Sequence, residues 1–289
     1  MPSEILEDLY EFAAQSIPSN KILEAKKQYQ KETGEIFEDD KSFNTRMGLF
    51  LEWYLFDNYL PDKSKVLIEA LIEENQPKWP KEKLEAFQNI STTIHSLFLV
   101  KAIKEKEVKI LNLFSDEIYT VQEIDSQLIF RKNDIFQGRI ISYKDQFCFT
   151  GNYCFHPLEV HKFIKPQIKL IKKIQNQHKK DLRKIEKLLH KENKILEKQV
   201  AKIGKINGKL SNTESNKTKL NQKLSDLQDN KNDSSKVIQN LEKDIFTLKV
   251  EKIKIEGNEL INKLINKFAY MNLKWERSRQ INASDIYSN

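Results

Sequence analysis

Leu182-Arg183-Lys184-Ile185-Glu186-Lys187-Leu188-Leu189-His190-Lys191-Glu192-Asn193-Lys194-Ile195-Leu196 sets leucine and isoleucine at alternating steps of three and four in a background of lysine. With Leu182 as heptad position a, the a and d positions run from 182 to 255, and 15 of these 22 are Leu or Ile. One phase held over ten heptads predicts a long helix whose seam needs a partner. The seam consists of Leu182, Ile185, Leu189, Leu196, Ile203, Ile206, Leu210, Leu220, Leu224, Leu227, Ile238, Leu241, Ile245, Leu248 and Ile255.

Of the seven polar exceptions, Thr213, Lys217, Lys231 and Ser234 gather near 211–219 and 229–235. Ser, Asn and Asp abound there and compete with helix for backbone hydrogen bonds, so either place could turn the chain back into a helical hairpin. The heptad phase is the same on both sides, which a loop has no reason to preserve. That favours a continuous rod, roughly 110 residues long and about 165 Å at about 1.5 Å per residue. Ile238/Leu241 and Ile245/Leu248 place Ile at a and Leu at d, the two-stranded preference, whereas Leu182/Ile185 leans to higher order. A parallel homodimer is the expected assembly.

Upstream of the seam the composition changes. Residues 1–160 carry 19 Lys/Arg against 27 Asp/Glu, and residues 161–289 carry 30 against 15. All seven prolines and 14 of the 16 phenylalanines lie in the first 166 residues. An acidic head is therefore expected before a basic rod, and a head of this size needs no disulfide to fold. Two cysteines make no disulfide framework, which fits a reducing compartment. The acidic N-terminus lacks a signal-peptide pattern, and the apolar run Leu97-Phe98-Leu99-Val100 stops at Lys101, well short of the roughly 20 residues of a membrane span. The expected location is the cytoplasm.

The fold class expected is α+β: a helical bundle over 1–106, a small antiparallel β-barrel or sheet over 107–157, a basic coiled-coil rod over 158–280 and a tail over 281–289. Helical spacing marks 3–14 and 21–33, the latter closed by Gly34. The stretch 46–59 is apolar almost all round and should form the buried helix of the bundle. A second such helix is expected after Pro80, carrying Ile90, Ile94, Leu97, Phe98, Val100 and Ile103. From Glu107 the period becomes two, with short strands at 108–113, 118–122, 127–131, 136–143, 146–150 and 153–155.

The run Arg46-Met47-Gly48-Leu49-Phe50-Leu51-Glu52-Trp53-Tyr54-Leu55-Phe56-Asp57, with Asp134-Ile135-Phe136-Gln137-Gly138-Arg139 and Cys154-Phe155-His156-Pro157, resembles a set of uncharacterised bacterial proteins that pair a helical segment with a small β module. The resemblance covers about residues 40–160. It implies a bacterial head domain and carries no catalytic residue.

Chemistry-bearing residues form four groups. Cys148, Cys154, His156 and His161 offer soft ligands, but Cys-x5-Cys-x-His-x4-His lacks a short Cys-x2–4-Cys knuckle, so a buried apolar role is favoured over metal. On that reading a hairpin places Cys148 opposite either Cys154 or Phe155, depending on turn length. Arg46, Glu52, Asp57 and His95 lie on apolar helices; buried ionisable groups of this kind mark active sites or, more often, ion pairs inside a core. Phe268, Tyr270, Met271, Leu273 and Trp275, with Arg277 and Arg279, form an aromatic and basic cluster suited to a partner protein or to the packed end of the coil.

Finally, residues 161–210 hold 16 Lys/Arg against 4 Asp/Glu, with Lys172, Lys173, Lys179, Lys180 and Arg183 as candidate anion contacts. Almost all are Lys, so base readout is poorly provided for, and any nucleic-acid binding is expected in the non-specific range of roughly 10⁻⁴ to 10⁻⁶ M. No Gly-rich phosphate loop, triad or metal-ligand spacing is present. The sequence thus points to a scaffold or adaptor without enzymatic activity or cofactor, self-associating through the coil and docking an unidentified protein. A nucleic-acid-associated coiled-coil protein is the alternative.

Overall fold

A computed structural model describes residues 2–62, 65–122, 129–144, 146–211, 216–278 and 280–288. The chain forms two units, Met1–Lys172 with Asn258–Asn289, and Lys173–Gly257. The expected boundary at 157/158 is thus displaced, and the chain past Asn258 belongs to the head.

The head begins with α1 (Pro2–Ser16), α2 (Ser19–Thr33), α3 (Phe43–Phe56), α4 (Leu67–Asn75) and α5 (Lys81–Ser91). In α2, Ala25, Tyr29 and Thr33 recur at i, i+4 and are buried. Gly34 ends the helix at φ 85, its N–H donating to the Gln30 carbonyl. Gly tolerates that positive φ at little cost. Helix α3 buries eight of its residues, among them Phe50, Trp53 and Leu55, as its all-round apolar sequence requires.

The second apolar helix stops at Ser91, and Thr93–Lys104 is strand β1. Leu97 and Leu99 pack toward Ile265 and Phe268, while Phe98 and Val100 pack toward Val108, Ile110 and Phe136. Both faces of β1 are covered, so its sequence loses the polar alternation that announces a half-exposed strand. Strands β2 (Glu107–Asn112), β3 (Ile118–Gln122), β4 (Ile135–Tyr143), β5 (Gln146–Phe149) and β6 (Cys154–His156) follow. Residues 127–128 of the strand expected at 127–131 lie outside the described residues, and 129–131 are not strand.

The six strands form one sheet in the order β1-β2-β3-β5-β4-β6, with β1 also paired to β4. Strand β1 pairs β4 from Thr93↔Ile141 to Leu99↔Ile135 and β2 from Phe98↔Asn112 to Lys104↔Glu107, the latter with a register shift between Val100 and Ala102. One pair, β3·β5, is parallel, which departs from the all-antiparallel expectation. Strands β5 and β6 do not pair with each other. Both lie along β4, Cys148 opposite Ile141 and Cys154 opposite Gln137, so neither expected hairpin register occurs.

A 3₁₀ turn (Leu158–Val160) leads into α6 (His161–Leu210), whose first turns bury Ile164, Ile168 and Ile171 in the head. Helix α8 (Gly257–Arg277) contributes Ile265, Phe268 and Met271 to the same cluster, and the short α9 (Ala283–Tyr287) adds Ala283 and Tyr287. Phe268, Met271 and Trp275 of the tail cluster are therefore part of the head core, whereas Tyr270 is exposed.

The second unit is a helical hairpin. Residues 173–210 of α6 run to Ser211, Asn216 sits in the left-handed region at φ 72, and α7 (Lys217–Thr247) with a π-helical stretch (Leu248–Glu256) returns. Lys249 meets Glu186 at 3.2 Å, and Gly257 lies beside Gln175, so the two arms run antiparallel. The continuous rod is corrected at the first polar break, where residues 212–215 lie outside the described residues. The second break stays helical inside α7, with Ser234 buried. Ile238 and Ile255 are buried and the other thirteen seam residues half-buried. Heptad phase survives because antiparallel arms use the same apolar stripe that a partner chain would.

Candidate functional site

Arg139, 1% exposed in the middle of β4, is the centre of a buried polar cluster. Its guanidinium pairs with Asp57, with Glu52 at 3.4 Å, and donates to the Thr93 hydroxyl at 2.5 Å. Glu52 and Asp57 come from the end of α3, where five residues of spacing turn both carboxylates toward the sheet. The other Glu52 oxygen accepts from Asn152 at 2.7 Å. Burial would raise the Asp57 pKa, but Arg139 and His95 outweigh it and hold the carboxyl below the usual range. Burial likewise opposes the Arg139 charge, and the two carboxylates more than restore it. The hydroxyl of Tyr10 is coupled to Glu52, has no hydrogen-bond partner among the described residues, and is pushed up by its own burial.

His95 on β1 extends the cluster. Its Nδ1 lies 3.2 Å from both Asp57 Oδ2 and Asn262 Oδ1, and its Nε2 lies 3.3 Å from Gln137 Nε2. Asp57 Oδ2 and Asn262 Oδ1 both face Nδ1, and the Gln137 amide faces Nε2. A carboxylate beside an imidazole is the geometry that orients a general base, but here both ring nitrogens are engaged by protein groups. Asp57 and Asn262 border a cleft of about 430 Å³, walled by Glu32, Trp53, Tyr59, Glu259 and Lys263. That size suits a small ligand, and Asp57 is the cluster member that lines it.

Of the four ionisable residues marked by sequence, Glu52, Asp57 and His95 come together and Arg46 does not. Arg46 clamps α3 to α8: it reaches Asn272 Oδ1 at 3.1 Å, the Ala269 carbonyl at 3.3 Å and Glu276 at 3.2 Å. Arg139, the residue that joins Glu52 to Asp57, was legible only as a lone arginine in an apolar strand, Ile135-Phe136-Gln137-Gly138-Arg139-Ile140-Ile141. A buried charge in such a run must find counter-charges.

The four soft ligands are dispersed. Cys148 packs with Leu55 and Ile141, whereas Cys154 is buried elsewhere and its thiol is pushed up to about 12 by burial. His156 Nδ1 meets the Tyr287 hydroxyl at 2.8 Å, and burial, with His161 and Arg46 nearby, lowers its pKa to about 3. Among the described residues no three His, Cys, Asp or Glu form a metal-holding group. In the tail cluster Arg277 pairs with Asp40 at 2.6 Å and lies over Phe37, while Arg279 lies outside the described residues.

Of the candidate anion contacts, Lys172 is bound to Asp116 in the head, and Lys173, Lys179, Lys180 and Arg183 are exposed along α6. No helix among the described residues is long and apolar enough to cross a membrane.

No curated protein and no solved structure matches the chain. Residues 3–202, from α1 into α6, match the family of unknown function DUF7986, and the chain belongs to that family.

Proposed function

We propose that this protein is a non-enzymatic adaptor of the bacterial cytoplasm that self-associates by packing its helical hairpins and docks a partner protein. The observation that carries the reading is the state of the seam: one antiparallel pair leaves thirteen of its fifteen residues only half-buried. Leu188 and Phe246 remain 54% and 62% exposed, and Val200 and Val237 nearly half exposed. A second hairpin would cover this apolar surface as a four-helix coiled coil. The polar cluster of the head supports a structural role for its charges, since Arg139, Glu52 and His95 are each engaged by protein neighbours. Two buried cysteines that lie on separate strands and form no disulfide among the described residues are consistent with a reducing compartment.

We read the β module as a small closed barrel. Strand β1 shared between β2 and β4, with β3 parallel to β5, matches the five-stranded Greek-key arrangement of OB type and supports closure. Fold alone does not carry function.

Sedimentation of the full chain at micromolar concentration tests the adaptor reading. A dimer or larger mass is expected, and Leu188→Lys with Phe246→Lys should reduce it to a monomer of unchanged helicity. A compact wild-type monomer would remove self-association from the proposal.

A further inference from the structure

The two arms of the hairpin carry their charge differently. Residues 173–210 hold 12 Lys/Arg against 4 Asp/Glu, and residues 217–256 hold 9 against 7. On α6 the lysines also keep a phase. With Leu182 at a, Lys180, Lys187 and Lys194 take position f and Lys184, Lys191, Lys198 and Lys205 take c, while Lys202 and Lys209 carry the steps of three and four onward at the neighbouring position g. All of these are exposed. Positions c and f face away from an a/d seam, so they stack into one ridge on the open side of the helix. On α7 and the π-helical stretch the lysines are spread over positions a, c, e, f and g and are interleaved with acids. A face that needed only to be solvated would look like the second arm.

The acids of the first arm do little to quench the ridge. Glu186 is engaged by Lys249, Asp181 reaches Lys184 at only 4.0 Å, Glu192 falls at a seam position, and Glu197 stands beside the row. Residues 180–209 span about 44 Å at about 1.5 Å per residue, a positive charge about every 5 Å. That length matches about 13 base pairs of duplex, whose phosphates recur about every 3.4 Å on each strand. A membrane surface would call for a broad apolar face beside the basic one, whereas on residues 173–210 the Leu and Ile run along the half-buried hairpin seam and Leu188 and Val200 are the only large apolar side chains left exposed. Lysine supplies point charges without the fork that reads guanine, so the ridge suits the backbone and not the bases.

We propose that the lysine row of residues 180–209, at c and f as far as Lys198 and at c and g beyond it, is a binding ridge for the phosphate backbone of nucleic acid, without base recognition. It is independent of self-association, since the ridge is complete within one chain. The test is fluorescence anisotropy of the full chain with a 20-base-pair duplex of mixed sequence between 50 and 200 mM KCl. Micromolar binding at 50 mM salt is expected, and about six phosphate contacts would weaken it roughly 10³-fold by 200 mM. Lys184→Glu, Lys191→Glu and Lys198→Glu together should cost at least about tenfold and flatten the log–log slope by roughly three, about 0.9 for each contact removed. The same three changed to Arg should retain binding, and Lys219→Glu, Lys236→Glu and Lys243→Glu on the other arm should leave it within a small factor. Far-ultraviolet circular dichroism checks that each variant stays helical, with Lys→Gln replacing Lys→Glu if it does not. Absence of binding at 50 mM salt, equal losses from the two lysine sets, or tighter binding to phosphatidylserine vesicles than to the duplex would each overturn the proposal.

Discussion

Glu186 on α6 and Lys249 in the π-helical stretch approach to 3.2 Å, which requires the chain to reverse between them. The pair is half exposed and contributes little energy of its own. Its value is geometric.

Spin labels at positions 186 and 249 should therefore report one short intramolecular distance. The distance distribution is expected to stay unchanged on dilution with a tenfold excess of unlabelled chain. A signal that disappears on such dilution would mean that the contact joins different molecules and that the arms do not fold back.

Because Arg139 is ringed by Glu52 and Asp57, Arg139→Met should leave two carboxylates buried without their counter-charge. A loss of about 3–5 kcal/mol in urea unfolding is expected, the usual cost of removing one partner of a buried pair. A change below about 1 kcal/mol would show that water reaches the cluster freely.

The head requires its C-terminal segment. Ile265, Phe268 and Leu273 of α8 are at most 1% exposed, each worth roughly 1.5–3 kcal/mol of burial. Residues 1–160 alone should give an aggregated or non-cooperative fragment. A chain in which a short Gly-Ser linker joins residue 172 to residue 258 should unfold cooperatively, and failure of that version would show that the hairpin takes part in folding the head.

Acid should act through His156. Its pKa falls from 6.5 to about 3 on folding, so between those values the unfolded chain binds the extra proton. Stability from this group is fully present above about pH 6.5 and drains as pH falls toward 3, by up to about 1.4 kcal/mol per pH unit. Asp57, also lowered, adds its loss only below the ordinary carboxylate pKa of about 3.9. Urea midpoints measured from pH 7 to 4.5 should decline in the wild type and less steeply in His156→Gln, the remaining slope belonging to His161, whose pKa burial also lowers. Equal slopes in both would exclude His156 as the cause.

The buried polar cluster shows where local sequence pattern stops. Glu52, Asp57 and His95 could be marked as charges in apolar surroundings, yet their meeting depends on Arg139, 82 positions from Asp57, arriving by way of β4. Local pattern carries no information about such a partner. The cleft beside Asp57 is farther still from the sequence, since it is built from α2, α3 with the segment after it, and α8.

What the sequence by itself determined is what depends on neighbours a few positions away. That includes the α+β class, the end of α2 at Gly34, strand β3, the seam of fifteen Leu and Ile, and the lysine ridge, because helical and strand periods are local rules. Only the tertiary structure decided that 93–104 is a strand, since cover on both faces erases its alternation. Only the tertiary structure turned the rod into a hairpin: a heptad seam is equally satisfied by another chain or by its own return, and the reversal at Asn216 selects the second.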